Sequence, residues 1–207
     1  MSNTERSPVK GLKKLVMWPL VADTEELLTY GTANPFVKSL MTATDTPTIV
    51  EGELPADNQI VESDMEVTGG TLAIGITALN EGDRNLIYGN KLVNGTVIQN
   101  KDDMGSYIAV AYMTNRSDGK ANLYKKLKAR FSPSAETFNT QQVGNISYAT
   151  TTINGKYIPT INDGNFGGTR YGVDPIADKT IIDNWFTEAL YLGPTAGGTP
   201  PEGGSGD

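Results

Sequence analysis

The chain has 207 residues, 23 of them glycine, a formal charge of −7 at pH 7, and neither cysteine nor histidine. The missing residue types exclude disulfides, thiolate nucleophiles and any catalytic triad that needs histidine. A chain of this length can bury a core of its own, and its acidity disfavours broad binding to nucleic acid. We therefore expect one domain without enzymatic activity, bound metal or cofactor.

The ends of the chain differ in composition from its middle. Residues 1–10 are polar and are predicted to form an extended N-terminal segment. Residues 11–192 are predicted to form a β domain, and residues 193–207 a flexible tail rich in glycine and proline. No apolar run is long enough to cross a bilayer, and the first residues lack the apolar core of a signal peptide. We expect a soluble protein made in a cytoplasm, without contact with a membrane.

Apolar patterns predict strands early in the chain. Residues 11–21 are apolar on both faces, residues 36–43 are predicted as a second strand, and residues 71–79 alternate strictly between apolar and small side chains. A short helix follows, for which Asn80 is a good N-cap and Gly89 a natural stop. The early part of the domain is therefore predicted to be strands with one short helix.

An acidic loop is predicted at residues 45–66, between two of these strands. It carries seven acidic residues, no lysine or arginine, and two prolines, Pro47 and Pro55. A loop this long is uncommon in a compact domain and is usually functional or disordered. We expect it to become ordered only on a neighbouring molecule.

Further strands are predicted at residues 106–114 and 121–131, forming a hairpin whose outer face carries Lys126, Lys128 and Arg130. Residues 145–153 alternate, and Asn154-Gly155 is predicted to be a tight hairpin turn. Helical spacing of apolar residues predicts a helix over residues 179–192. The glycine-rich stretch near Gly164 lacks the spacing of a phosphate-binding loop.

The charges of the chain are segregated into two blocks, one acidic in the loop and one basic on the hairpin strand. Opposite patches of this kind steer copies of a protein together and set their register. The candidate inter-subunit contacts are Glu51, Glu53, Asp57, Glu62, Asp64, Lys126, Lys128 and Arg130.

Several segments of the sequence resemble the major tail protein of long-tailed bacteriophages that infect Gram-positive bacteria. They are GLKKLVMWPL, YGTANPF, ELPADNQIVES and TGGTLAIGITALNEGDRNLIYG, and the resemblance is best from residue 11 to about residue 89. It implies a mainly β fold with minor α structure, a β-sandwich or half-open barrel with a flanking helix and a long extended loop. It also implies stacked six-membered rings that form the tail tube through which DNA is ejected.

A subunit of such a tube would have its own copies as partners, together with the tape measure, tail tip and terminator proteins of the phage. Genomic DNA would pass through without sequence-specific binding, and an acidic lining would not hold its phosphates. The candidate lumen residues are Glu81, Asp83, Asp102 and Asp103. The alternative is a carbohydrate- or receptor-binding β-sandwich that uses exposed Tyr157, Phe166 and Tyr171.

Overall fold

A computed structural model of the chain describes residues 7–36, 39–56, 59–135 and 150–194. Eleven strands and two helices lie in these ranges. In chain order they are β1 (Val9–Asp23), β2 (Leu28–Tyr30), β3 (Asn34–Pro35), β4 (Leu40–Ala56), β5 (Gln59–Ile76), α1 (Glu81–Tyr88), β6 (Lys91–Val93), β7 (Thr96–Ile98), β8 (Ile108–Arg116), β9 (Ala121–Ser132), β10 (Thr151–Tyr157), β11 (Gly167–Val173) and α2 (Lys179–Thr187).

Nine of the strands form one antiparallel sheet, which is not a closed barrel. Its main order is β2-β1-β8-β9-β10-β5-β4, with β3 paired to β1 and β11 paired to β9. β6 and β7 form a separate two-stranded sheet. The prediction of a mainly β protein with minor helix is confirmed.

The sheet buries a core on each of its two faces. On one face, apolar residues of β1, β5, β8, β9 and β10 pack with Ile87 and Tyr88 of α1. On the other face, residues of β1, β8 and β9 pack under Ile182 and Trp185 of α2. Both faces of β1 and β8 are therefore covered, which explains why these strands are apolar on both sides.

The predicted acidic loop is wrong, because these residues form a long β-hairpin. β4 pairs with β5 from Leu40↔Ile76 to Ala56↔Gln59, with three register shifts along the ladder. β4 lies at the edge of the sheet, where Pro47 and Pro55 cost no ladder hydrogen bond to a second neighbour. The β-branched residues of both strands favour this structure, while the register shifts break the alternation that would have revealed it.

The two Asn-Gly pairs of the chain have different structures. Asn154-Gly155 lies inside β10, where Gly155 pairs with both Leu72 and Phe131, so the predicted turn is wrong. A Cβ at position 155 would lie 2.6 Å from the Phe131 ring, which gives the glycine a packing role. The tight turn is instead Asn94-Gly95, between β6 and β7, with positive φ at both residues.

The ends of the helices largely follow prediction. Asn80 accepts from the Asp83 amide at 2.7 Å, the Asp83 carboxylate accepts from the Asn80 amide at 3.0 Å, and Gly89 ends α1 in the left-handed conformation. α2 ends at Thr187, before the predicted residue 192. Neither helix in the described ranges is long and apolar enough to span a membrane.

Candidate assembly site

The outer part of the β4–β5 hairpin projects from the sheet as a free ribbon, here called the arm (residues 48–56 and 59–69). β10 pairs with β5 only as far as Gly70, so beyond that point the two strands pair with each other alone. At about 3.4 Å per residue the arm extends roughly 30 Å. The side chains of residues 48–54 and 59–68 are exposed. Two-stranded ribbons are only marginally stable in water when nothing else packs against them.

Apolar and acidic residues of the arm lie in separate rows. Directly opposed residues share a face, and the pairs Val50↔Glu66, Gly52↔Asp64 and Leu54↔Glu62 place an apolar row of β4 beside an acidic row of β5. On the opposite face, Glu51 and Glu53 of β4 pair with Met65 and Ser63 of β5, and Ile49 pairs with Val67. Each face therefore combines exposed apolar and acidic side chains.

None of the carboxylates of the described arm has a hydrogen-bond or ion-pair partner among the described residues. These carboxylates belong to Glu51, Glu53, Glu62, Asp64 and Glu66. Apolar side chains around them are also about half exposed or more, from 47% at Val67 to 71% at Met65. Asp57, the remaining predicted acidic contact, lies outside the described residues. Unpaired charge beside exposed apolar surface is typical of an interaction site.

The base of the arm is anchored within the chain by Asp45. Its carboxylate accepts a hydrogen bond from the Tyr157 hydroxyl at 2.8 Å and forms an ion pair with the Lys126 ammonium at 2.6 Å. The ammonium also lies 4.0 Å from the centre of the Tyr157 ring. A Cβ on Gly70 would lie 2.2 Å from the Tyr157 oxygen, so the anchor requires glycine there.

Lys128 lies in a buried ion pair. It is 6% exposed, and its ammonium lies 2.5 Å from the Asp23 carboxylate, which also accepts from the amides of Ile161 and Asn162. Burial alone would raise the pKa of Asp23, but these hydrogen bonds and the Lys128 charge outweigh it and hold that pKa below its usual value.

The prediction of one basic outer face on β9 is wrong. The register of β8 and β9 passes from Val110↔Lys126 to Ile108↔Ala129, which inserts one extra residue in β9 and reverses the face of the residues beyond it. Lys126 packs on Tyr157, whereas Lys128 and Arg130 both lie over Tyr107. Of the three predicted basic contacts, Arg130 alone lacks a carboxylate partner among the described residues.

Sequence reasoning missed the structural role of Lys125, which is 1% exposed. Its ammonium donates to the carbonyls of Glu188 and Tyr191 at 2.7 and 2.8 Å and lies 5.3 and 5.0 Å from the Trp18 and Trp185 rings. The available signal was a lysine at an apolar position of an alternating strand. Lys125 thereby ties the segment after α2 to the sheet.

The four candidate lumen residues have different surroundings. Glu81 and Asp102 are exposed, whereas Asp83 is buried in the capping box and also accepts from the Asn34 side chain at 3.2 Å. The Asp103 carboxylate accepts from the Asn100 amide and the Asn90 side chain, and these donors lower its pKa. Two of the four are thus engaged in local structure.

The aromatic residues of the alternative binding site are not one exposed set. Tyr157 is buried, Phe166 packs edge-on against it with centroids 6.1 Å apart, and Tyr171 is exposed. Within the described ranges, no cluster of three or more acidic, histidine or cysteine side chains could hold a metal ion.

The chain matches no model of a protein family and no curated protein.

Proposed function

We propose that the chain is a structural virion protein that polymerises as stacked rings, six copies to a ring, into the tail tube of a long-tailed phage. The arm carries this proposal, because its exposed apolar rows and unpaired carboxylates have no use in a single copy. Burial of apolar surface is the main favourable term in most protein–protein association. We assign the protein no enzymatic activity.

The course of the sheet supports a half-open barrel of the tail-tube type. β3 and β4 lie at opposite ends of the sheet order, six strand intervals apart, or about 29 Å if the sheet were flat. Pro35 and Leu40 are only five positions apart in sequence, and five Cα–Cα steps reach at most about 19 Å. A sheet that is not closed and brings these two edges near each other is consistent with a half-open barrel.

Free sheet edges support assembly in rings. The outer edge of β4 and the arm portion of β5 have no strand partner in the described chain beyond each other. Such edges recruit strands of other molecules, and closing a ring removes them. The partners would be other copies, with the tape measure, tail tip and terminator proteins at the ends of the tube.

The net charge of −7 suits a conduit for DNA in the virion, since a lining that attracted phosphates would hold the passing strand. The protein would be assembled in the host cytoplasm and bind DNA without sequence specificity. The carbohydrate-binding alternative retains one exposed aromatic of three, Tyr171, and no observation favours it.

Shortening the arm tests the proposal. Val50 and Glu66 are directly opposed, so replacing residues 51–65 by Asn-Gly closes the ribbon with a two-residue turn. We expect a folded monomer with a cooperative unfolding transition and no rings or tubes in negative-stain micrographs. The matched control, Val21→Ser with Ile176→Ser, removes exposed apolar groups elsewhere and should assemble.

Tubes formed by the shortened chain would contradict the role of the arm. A parental protein that stays monomeric at high concentration, alone and with a tail-tip fraction, would contradict the proposed function itself. Charge reversal at Lys126 or Lys128 would not test assembly, because each of these lysines forms an ion pair within the monomer.

A further inference from the structure

A groove of about 800 Å³ lies beside the base of the arm. Residues of β5, β9 and β10 line it, together with Tyr88 and the segment around Met104 and Tyr107. Cross-strand register places Lys156 of β10 directly opposite Arg130 of β9 and Thr71 of β5. The groove therefore brings two basic residues together at the edge from which the arm departs.

No described carboxylate forms an ion pair with either of the two cations of the groove. Lys156 is exposed, and neither Lys156 nor Arg130 forms an ion pair among the described residues. The Arg130 guanidinium lies 3.9 Å from the centre of the Tyr107 ring, and its Nε atom is buried without an acceptor. Asp103 also lines the groove, but its carboxylate is engaged by Asn90 and Asn100. Like charges directly opposed on neighbouring strands destabilise a sheet, so an acidic partner would relieve this pair.

We infer that this groove receives the arm of a second copy of the chain. The row of Glu62, Asp64 and Glu66 supplies carboxylates, and the apolar row beside it supplies Val50 and Leu54. The groove offers the matching groups, with Arg130 and Lys156 next to Met104 (68% exposed) and Ile158 (38% exposed). The inference rests on the proposed polymerisation and names the surface that receives the arm.

The arm cannot fill the groove of its own chain. The ladder of β4 and β5 is continuous, and the groove uses β5 from Thr71 onward while the arm runs the opposite way from Gly70. Asp64 and Glu66 therefore lie roughly 24 and 17 Å along the strand from Thr71. Ion pairs require about 4 Å, so a second molecule must bring the carboxylates.

The contact is heterologous, because arm and groove are different surfaces of one chain. Each copy then gives an arm and receives one, and such contacts generate closed rings or open-ended stacks. One contact of this kind therefore suffices for a polymer of identical subunits.

Cross-linking tests the inference, since the chain has no cysteine of its own. One full-length chain carries Glu62→Cys, Asp64→Cys or Glu66→Cys, and a second carries Lys156→Cys. With a short bis-maleimide, we expect a covalent dimer in mixtures of the two chains and none when either is treated alone. Lys91→Cys, an exposed position outside the groove, is the matched control and should give no dimer.

Charge exchange provides a second measurement. Lys156→Glu or Asp64→Lys alone should raise the concentration for half-maximal assembly about tenfold, and the two together in one chain should restore it. Lys91→Glu should leave it unchanged. If tubes form but Lys156→Cys gives no cross-linked dimer, the groove does not receive the arm, while the proposed function is unaffected.

Two further outcomes would also overturn the inference. One is equal cross-linking at Lys91→Cys and Lys156→Cys. The other is that the parental chain binds a single-stranded oligonucleotide, and that Lys156→Glu abolishes this binding but leaves assembly unchanged. That pattern would assign the groove to phosphates. Failure of the parental chain to assemble at all, with no dimer, would overturn both the groove and the proposed function.

Discussion

The Lys126 ammonium and the Asp45 carboxylate form an ion pair of 2.6 Å within one chain, across the base of the arm. This pair joins the central strand β9 to the edge strand β4. It engages the first acidic residue of the predicted acidic loop and the first lysine of the expected basic face. The described carboxylates farther out have no hydrogen-bond or ion-pair partner among the described residues.

The anchor at Asp45 should be measurable as a coupling energy. Asp45→Asn and Lys126→Met should each reduce the free energy of unfolding by about 0.5–1 kcal/mol, since both side chains are partly exposed. The double variant should lose less than the sum, and urea titration of all four proteins gives the coupling. Hydrogen exchange should also quicken in residues 46–50. Strict additivity would mean that the pair contributes nothing.

The buried pair of Lys128 and Asp23 should contribute more. Lys128→Met leaves the Asp23 carboxylate buried without its cation, and we expect a loss of about 3–5 kcal/mol. Lys156→Met, a change of the same chemistry at an exposed site, should cost less than about 0.5 kcal/mol. Adding Asp23→Asn to Lys128→Met should recover part of the loss. Equal denaturation midpoints for the two lysine variants would contradict the assignment.

Two glycines should respond oppositely to alanine. Gly155→Ala forces a methyl group against Phe131 and the Arg130 carbonyl, 2.9 Å away, and should cost about 1–3 kcal/mol. Gly52→Ala in the arm meets nothing within 4 Å and should be neutral, or stabilise by about 0.4–1 kcal/mol. Thermal unfolding of the two variants compares them directly. A destabilised Gly52→Ala would imply that the arm packs against its own chain.

Lys125 predicts the pH dependence of stability. Burial lowers the pKa of Lys125 to about 7, although the nearby Glu188 charge raises it in part. In the unfolded chain this pKa keeps its usual value near 10.5. Between these values the unfolded state binds more protons, so the free energy of unfolding should rise with pH from 7 to 9, by at most about 1.4 kcal/mol per unit. Well below pH 7 both states bind the proton, and this slope vanishes.

Lys125→Met should flatten that rise, and Lys156→Met should preserve it, as measured by urea titration at pH 6.5, 7.5 and 9. Above pH 10 the sign reverses. Burial raises the pKa of Tyr30 and of Tyr112, so the folded chain keeps protons that the unfolded chain has lost, and stability falls. An unchanged slope in Lys125→Met would contradict the role of Lys125.

The amino-acid sequence by itself determined the local elements. Strict alternation identified the strand with Leu72, Ile74 and Ile76, and Asn80 with Gly89 identified the ends of α1, because these signals involve residues within a few positions of each other. The acidity of the arm was equally visible. The hairpin structure of the arm could not be predicted, because bulges and edge prolines interrupt the alternation that identifies a strand.

Only the tertiary structure decided which charges are free. Lys128 meets Asp23 across 105 positions of sequence, and one extra residue in β9 separates Lys126 from the face of Arg130. Likewise, neighbours from other strands determine that Asn154-Gly155 is a strand segment. Such pairings depend on the register between segments that are distant in sequence, and the local pattern of residues does not predict that register. The exposure of the acidic residues of the arm and of the basic residues of the groove therefore depends on the folded sheet.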